Sequence, residues 1–352
     1  MAWAEIWRRQ GLWWALLLKP LSYAYALGWA GARLFTPGTA LKSTVPVISV
    51  GNLSVGGTGK SPLVRALAAR ALSRRRIPAI LLRGYGASRG SRPLQISAGL
   101  LPLVTAGESG DEAYEHALQV RARVWIDADR RRSAMAAVAD GADLLILDDG
   151  FQRRGQLRRD LDLLLADWQE LQQGEHWLPA GPWREPWTQV AAADAVLLSG
   201  APQDLQGEDL QRSLPAAWQG KPLFRLDRMA AGLLTWPQGS SLSLASLRGK
   251  RVAALSGLGR PQSFETSLLG LGAQVLPWRF SDHHAYQVRE LSLLPPGGAE
   301  LIVTTAKDAV RLPADWRPGL PVWVLRVEAR ISPSKPFWGL VDQALGAPPS
   351  KG

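Results

Sequence analysis

From Ser54 to Ser61 the chain reads Ser-Val-Gly-Gly-Thr-Gly-Lys-Ser, residue types suited to cradling a polyphosphate. Gly56, Gly57 and Gly59 let successive backbone amides turn toward phosphate oxygens with no Cβ in the way. The Lys60 ammonium can reach the β- and γ-phosphates, and the Ser61 hydroxyl can ligate Mg²⁺. Ser54 occupies the place where the strict G-x-x-x-x-G-K-[ST] pattern has glycine, and Val55 and Thr58 complete the turn. Residues 45–50, apolar and β-branched, predict a buried strand before the loop. Leu63, Leu67 and Leu72 predict a helix after it. Strand, glycine-rich loop and helix is the order a phosphate-binding loop requires, and the helix start contributes its positive dipole end.

A second half is needed to hold a metal. Residues 142–148 form another apolar run and end in Asp148-Asp149-Gly150, the acidic strand end by which P-loop enzymes handle Mg²⁺. These parts serve kinases, NTPase switches and motors alike, and the acceptor site must distinguish them. A hydroxyl acceptor needs a group to take its proton, and the chain has four histidines. His116 falls on a predicted helix, where a solvated face is expected. His176 sits in a loop beside Trp177. His283 and His284 follow Phe280-Ser281-Asp282 and form a polar cluster. Gly107-Glu-Ser-Gly-Asp-Glu112 opens a helix. Ser109 or Asp111 there caps an orphan amide, or else Asp111 acts as a base or orienter and Glu112 as a metal or water ligand.

Taken together these segments resemble the tetraacyldisaccharide 4'-kinases of lipid A synthesis over most of the chain. The likeness runs through Pro46 to Pro62, Arg83-Gly-Tyr-Gly, Gly110-Asp-Glu and Leu147-Asp-Asp-Gly-Phe-Gln152. It continues through Leu178 to Pro186, Gly257-Leu-Gly-Arg-Pro-Gln262, Asp282-His-His and Thr304-Thr-Ala-Lys-Asp308. The family also carries a serine- or threonine-like residue at the Ser54 position. The resemblance implies an ATP- and Mg²⁺-dependent kinase that phosphorylates the 4'-hydroxyl of a tetraacyldisaccharide 1-phosphate, giving lipid IVA. It implies an Asp111–His283 dyad at that hydroxyl, with metal and phosphate handling by Ser61, Glu112, Asp148 and Asp149. It places the Arg184-Glu185 pair near the active site. Arg153, Ala306 and Trp183 depart from the family's usual histidine, acid and leucine. The implied partners are a lipid A precursor and a membrane surface, at the cytoplasmic face of the bacterial inner membrane. Neither nucleic acid nor an obligate protein partner is implied. The alternative is a P-loop NTPase switch acting on nucleic acid or protein. A phosphoesterase using Asp282-His283-His284 as metal ligands lacks further aspartate clusters.

Composition agrees with a lipid acceptor. The net charge of +11, spread along the chain, suits anionic headgroups or a phosphorylated substrate. With no cysteine among 352 residues, disulfides and thiolate metal sites are excluded. Trp3, Trp7, Trp13, Trp14 and Trp29 crowd the first thirty positions, and tryptophan favours membrane–water interfaces. Residues 11–35 are apolar but are interrupted by Lys19-Pro20, and a central lysine costs a spanning helix about 2.5 to 3.5 kcal/mol. A bent or monotopic interfacial helix is expected; a buried packing helix and a signal peptide compete with it.

Strand-like runs at 45–50, 78–82, 122–127, 142–148, 161–166 and 194–199 alternate with helical ones. They predict an α/β, P-loop NTPase-like fold, a mostly parallel sheet with helices on both faces. Its ligand site lies at the carboxyl ends of the strands. Further strands are expected near 223–227, 251–256, 300–304 and 321–327. The expected division is an N-terminal segment 1–37, a kinase core 38–222 and a smaller α/β domain 223–352 that closes over the active site. The Pro-Pro-Ser-Lys-Gly tail is expected to be disordered.

Overall fold

The computed structural model describes residues 12–34, 40–55, 59–85, 87, 92–292 and 297–346. Trp3, Trp7, Gly56, Gly57, Thr58 and the 348–352 tail lie outside them. The described chain forms two compact units. One runs to Asp227 and resumes at Ala329; the other is Arg228–Glu328.

The larger unit is built on β1 (Val47–Asn52), β2 (Pro78–Leu82), β3 (Leu94–Ala98), β4 (Arg123–Ile126), β5 (Leu144–Asp148), β6 (Leu161–Asp167), β7 (Ala195–Ser199) and the start of β8 (Leu223–Trp236). They pair in the order β8-β7-β6-β1-β5-β2-β4-β3, parallel throughout except for β3. The alternating direction of side chains along a strand divides the core. Ile48, Val50, Leu144, Ile146, Leu163 and Leu165 point to one face. There they meet Leu63, Val64 and Leu67 of α2 (Lys60–Ser73) and Ala113 and Ala117 of α3 (Asp111–Gln119). Val47, Leu145 and Leu147 point the other way, toward Ala134 and Ala137 of α4 (Arg130–Ala139). Leu164 and Ala166 share that opposite side with Phe151, Trp183 and Trp218. Helices therefore cover both faces, as the strand pattern required.

α1 (Leu12–Leu34) passes through Lys19-Pro20 without interruption. Its Ser22 and Tyr25 face the 177–184 segment, while Leu17, Leu21, Tyr23 and Leu27 stay exposed. No helix among the described residues is long and apolar enough to cross a membrane.

The smaller unit holds β9 (Ser241–Leu242), β10 (Arg251–Ser256), α5 (Pro261–Gly270), β11 (Gln274–Arg279), β12 (Leu301–Thr305) and most of β13 (Val322–Ser332). β11, β10, β12 and β13 pair in parallel in that order, and Leu233 of β8 pairs with Leu242 in an antiparallel hairpin. The last helix, α6 (Ser334–Leu345), buries Phe337, Val341 and Leu345 in the core of the larger unit. For that reason the smaller unit ends at Glu328, and residues 329–346 do not belong to it as the 223–352 division had them.

Candidate active site

β1 and β5 are neighbours, with Val50 opposite Asp148. The loop after β1 and the acids after β5 thus emerge side by side at the carboxyl edge of the sheet, where parallel α/β sheets bind ligands. Gly59 caps α2 with a left-handed backbone, φ 92°, and Lys60 and Ser61 open the helix. The loop's first half is clamped. The Val55 amide donates to the Pro182 carbonyl at 2.8 Å, and the Arg184 amide donates to the Leu53 carbonyl at 2.8 Å. Ser54 bridges Trp183 between them. The Ser54 side chain is buried, and among the described residues its hydroxyl has no hydrogen-bond partner.

Lys60 Nζ lies 2.8 Å from Asp149 Oδ1 and donates to Asn52 Oδ1 at 2.8 Å. Arg184 donates to the same Asn52 oxygen at 2.7 Å and stands 3.5 Å from Asp149. Asn52 is fully buried at the end of β1; its amide donates to the Ser54 carbonyl at 2.8 Å and its own carbonyl accepts from Gln152. Burial by itself would raise the Asp149 carboxyl. The Lys60 ammonium and the Arg184 guanidinium outweigh that and hold it down at about 2, so Asp149 is ionised at neutral pH. Its backbone is left-handed, φ 52°, which turns the side chain back toward Lys60.

Asp148 has a different setting. His116 Nε2 stands 2.9 Å from Asp148 Oδ2, and both side chains are buried. The expectation of a solvated face for His116 is overturned. Ala113, His116 and Ala117, spaced at three and four, form the inward stripe of α3, and that spacing was the legible signal. Arg130, also unanticipated, is buried and donates to the Asp148 carbonyl at 3.1 Å. Asn52 carried no signal of its own, being one amide at a strand end.

α3 links this pair to the acceptor candidates, because Asp111 and Glu112 form its first turn. Its N-cap is Gly110, with no side-chain cap; the Ser109 hydroxyl donates back to the Thr105 carbonyl at 2.9 Å. The cap reading of Ser109 and Asp111 therefore does not describe this helix start. Gly110 has φ +78°, and a Cβ there would lie 2.4 Å from the Tyr85 carbonyl. Only glycine lets the Gly110-Asp-Glu and Arg83-Gly-Tyr segments touch so closely. Arg65 and Glu115, 3.0 Å apart, hold α3 against α2.

His283 and His284 belong to the smaller unit and differ in role. His284 Nε2 is 3.0 Å from Glu290 and its Nδ1 is 3.3 Å from Ser281 Oγ, with its ring against Phe280 and Tyr286. Both of its nitrogens are engaged in the fold. His283, with φ 55°, has Lys307 Nζ 3.4 Å from Nε2.

Among the described residues no three His, Asp or Glu side chains converge as a metal site. Mg²⁺ takes one or two carboxylates and completes its octahedron with substrate phosphates and water. The ionised Asp149 and the hard hydroxyl oxygen of Ser61 fit that demand. Trp183 is 1% exposed, its indole N–H donates to the Gly174 carbonyl at 2.9 Å, and Trp187 and Trp218 pack around it.

The family model described as Tetraacyldisaccharide-1-P 4'-kinase matches residues 14–346. A protein of Anaeromyxobacter sp. (strain Fw109-5) named tetraacyldisaccharide 4'-kinase is 40% identical over 324 residues, 86% of each chain. One of the same name from Syntrophus aciditrophicus (strain SB) is 35% identical over 350 residues, 94% of this chain and 93% of that one. The fold is similar to the crystal structure of "apo" form LpxK from Aquifex aeolicus in complex with ATP, with a TM-score of 0.77 at 30% identity. That likeness covers 94% of this chain and 99% of the other.

Proposed function

The chain belongs to the tetraacyldisaccharide-1-P 4'-kinase family, and from that premise we propose that it transfers the γ-phosphate of ATP to the 4'-hydroxyl of a tetraacyldisaccharide 1-phosphate. The observation that carries this reading is Lys60, held at the head of α2 between Asn52 and Asp149. There an ammonium stands at the carboxyl edge of the sheet beside the ionised Asp149, where a triphosphate can be met. Phosphoryl transfer asks the protein mainly for positioning and charge stabilisation. Lys60 and Arg184 supply the cations. Ser61 and Asp149 would hold Mg²⁺, with Asp148 and Glu112 as the further candidates; when bound, the metal neutralises charge on the β- and γ-phosphate oxygens. Asp111 and His283 are the groups assigned to the acceptor's proton.

The lipid acceptor accords with α1, whose exposed Leu17, Leu21, Tyr23 and Leu27 suit a helix lying in the interface of the cytoplasmic leaflet, with Lys19 near headgroups. Family membership speaks against the NTPase-switch alternative.

The test uses purified full-length protein, Mg-ATP labelled at the γ-position and a disaccharide 1-phosphate lipid in mixed micelles. Label is expected in the lipid and should survive mild acid that cleaves the anomeric 1-phosphate. Label found only in free phosphate sinks the kinase reading and favours the switch.

A further inference from the structure

Two sequence motifs lie apart in the chain from the loop after β1 and the acids at 148–149: Gly257-Leu-Gly-Arg-Pro-Gln262 and Thr304-Thr-Ala-Lys-Asp308. They follow the paired strands β10 and β12 of the smaller unit, and they meet at Asp308. Its side chain is 0% exposed, a position no carboxylate tolerates without partners. Oδ1 accepts from the Gly257 amide at 3.0 Å, the Tyr286 hydroxyl at 2.9 Å and Arg311 at 2.8 Å. Oδ2 accepts from Thr305 Oγ1 at 2.6 Å. Burial, and then the Asp308 charge, push the Tyr286 hydroxyl far above its ordinary range, so Tyr286 keeps its proton and remains a donor.

These partners bracket residues 281–287. The His283 amide donates to the Gly257 carbonyl at 3.3 Å. Arg311 donates to the His284 carbonyl at 3.2 Å. A Cβ on Gly257 would lie 2.9 Å from the Ser281 carbonyl and 3.0 Å from the Tyr286 hydroxyl, so the strand end can approach the loop only as glycine. His284 is spent on Glu290 and Ser281, as described above. His283 joins the same lattice through its backbone amide. It is held in a left-handed backbone with Lys307, the residue before Asp308, beside its ring.

We propose that Asp308 is the positioning residue of His283: through Gly257, Tyr286 and Arg311 it sets the loop that presents the imidazole, and through the Thr305-capped turn Ala306–Ala309, which holds both residues, it sets Lys307 beside that ring. The inference rests on the assignment of His283 to acceptor chemistry. A ring displaced by about 1 Å can cost a reaction about a hundredfold, so Asp308 controls turnover without touching the substrate.

The test is a set of double-mutant cycles on the full-length protein, with kcat, KM for ATP and Tm measured for each variant. Tyr286→Phe removes one hydrogen bond and no volume, and is expected to lower kcat about tenfold with KM for ATP unchanged. Asp308→Asn is expected to lower kcat further. In a His283→Ala background both effects should shrink to within about twofold, because the group they position is gone. Equal losses with and without His283 overturn the proposal, since Asp308 then acts elsewhere. A KM increase equal to the kcat loss overturns it as well. A His283→Ala variant with undiminished kcat removes the acceptor role of His283 itself, a failure recognisable because it precedes any effect of Asp308. Should Asp308→Asn fail to fold, the Tyr286→Phe cycle decides alone.

Discussion

Lys60 and Asp149 form the ion pair on which the proposed phosphate site rests. The ammonium is committed to Asn52 and Asp149, and an ammonium has three donors, so a phosphate can be met without leaving the cradle. Lys60→Ala should therefore lower kcat by about a hundredfold or more, the scale on which single electrostatic donors act in the transition state. Steady-state turnover equal to wild type would remove the loop from the mechanism. Asp111→Ala should lower kcat with little change in KM for ATP, since the proposed nucleotide contacts lie between β1 and α2; a pure KM effect would make Asp111 a binding residue.

Helices decide how these residues are held. α1 docks through polar contacts: the Ser22 hydroxyl donates to the Trp177 carbonyl at 2.9 Å, and the Ala180 amide donates to Ser22 at 3.2 Å. Trp29 packs edge-on to Trp177 at 5.7 Å. The 177–184 segment it touches also clamps residues 53–55 after β1, so the helix is structurally continuous with the start of that loop. The proposed interfacial role of this helix rests on its exposed Leu17 and Leu27. The pair Leu17→Glu and Leu27→Glu should weaken sedimentation with anionic liposomes while micellar turnover persists; unchanged sedimentation would count against an interfacial α1.

α6 grips α2 through Asp342, which accepts from Arg70 Nε at 3.1 Å and also meets Arg74. The Arg70 hydrogen bonds, with the charges of Arg70 and Arg74, hold the Asp342 carboxyl below its ordinary value. A depressed carboxyl contributes stability above its unfolded pKa of about 3.9 and loses it as pH falls through the folded value. Thermal melts should show wild type above Asp342→Asn at pH 6, and the gap should close below about pH 4. A gap independent of pH would mean that the ion pair contributes nothing to folding.

At the scale of the molecule the chain leaves the larger unit at Asp227 and returns to it at Ala329. The return is driven by burial. Phe337 is 0% exposed and meets Phe224 edge-on at 5.2 Å. Phe337→Ala should cost about 3 to 5 kcal/mol, read as a lowered denaturation midpoint of the larger unit; an unshifted midpoint would detach α6 from that core.

The local grammar of the sequence was enough for the parallel sheet, the helix that opens at Lys60 and the acids at the end of β5. A short apolar run, a glycine-rich turn and a helical stripe each state their conformation within a few residues. The strand at 94–98 and the partner that His116 meets were not legible, since they depend on which neighbour covers an edge or a face. Only the tertiary structure decided that His116 meets Asp148 across 32 positions of chain, that Asn52 gathers Lys60 and Arg184, and that the last helix closes the first core. Desolvation is the reason. A buried polar group must find a partner wherever the fold supplies one, and the chain does not announce that partner by its spacing.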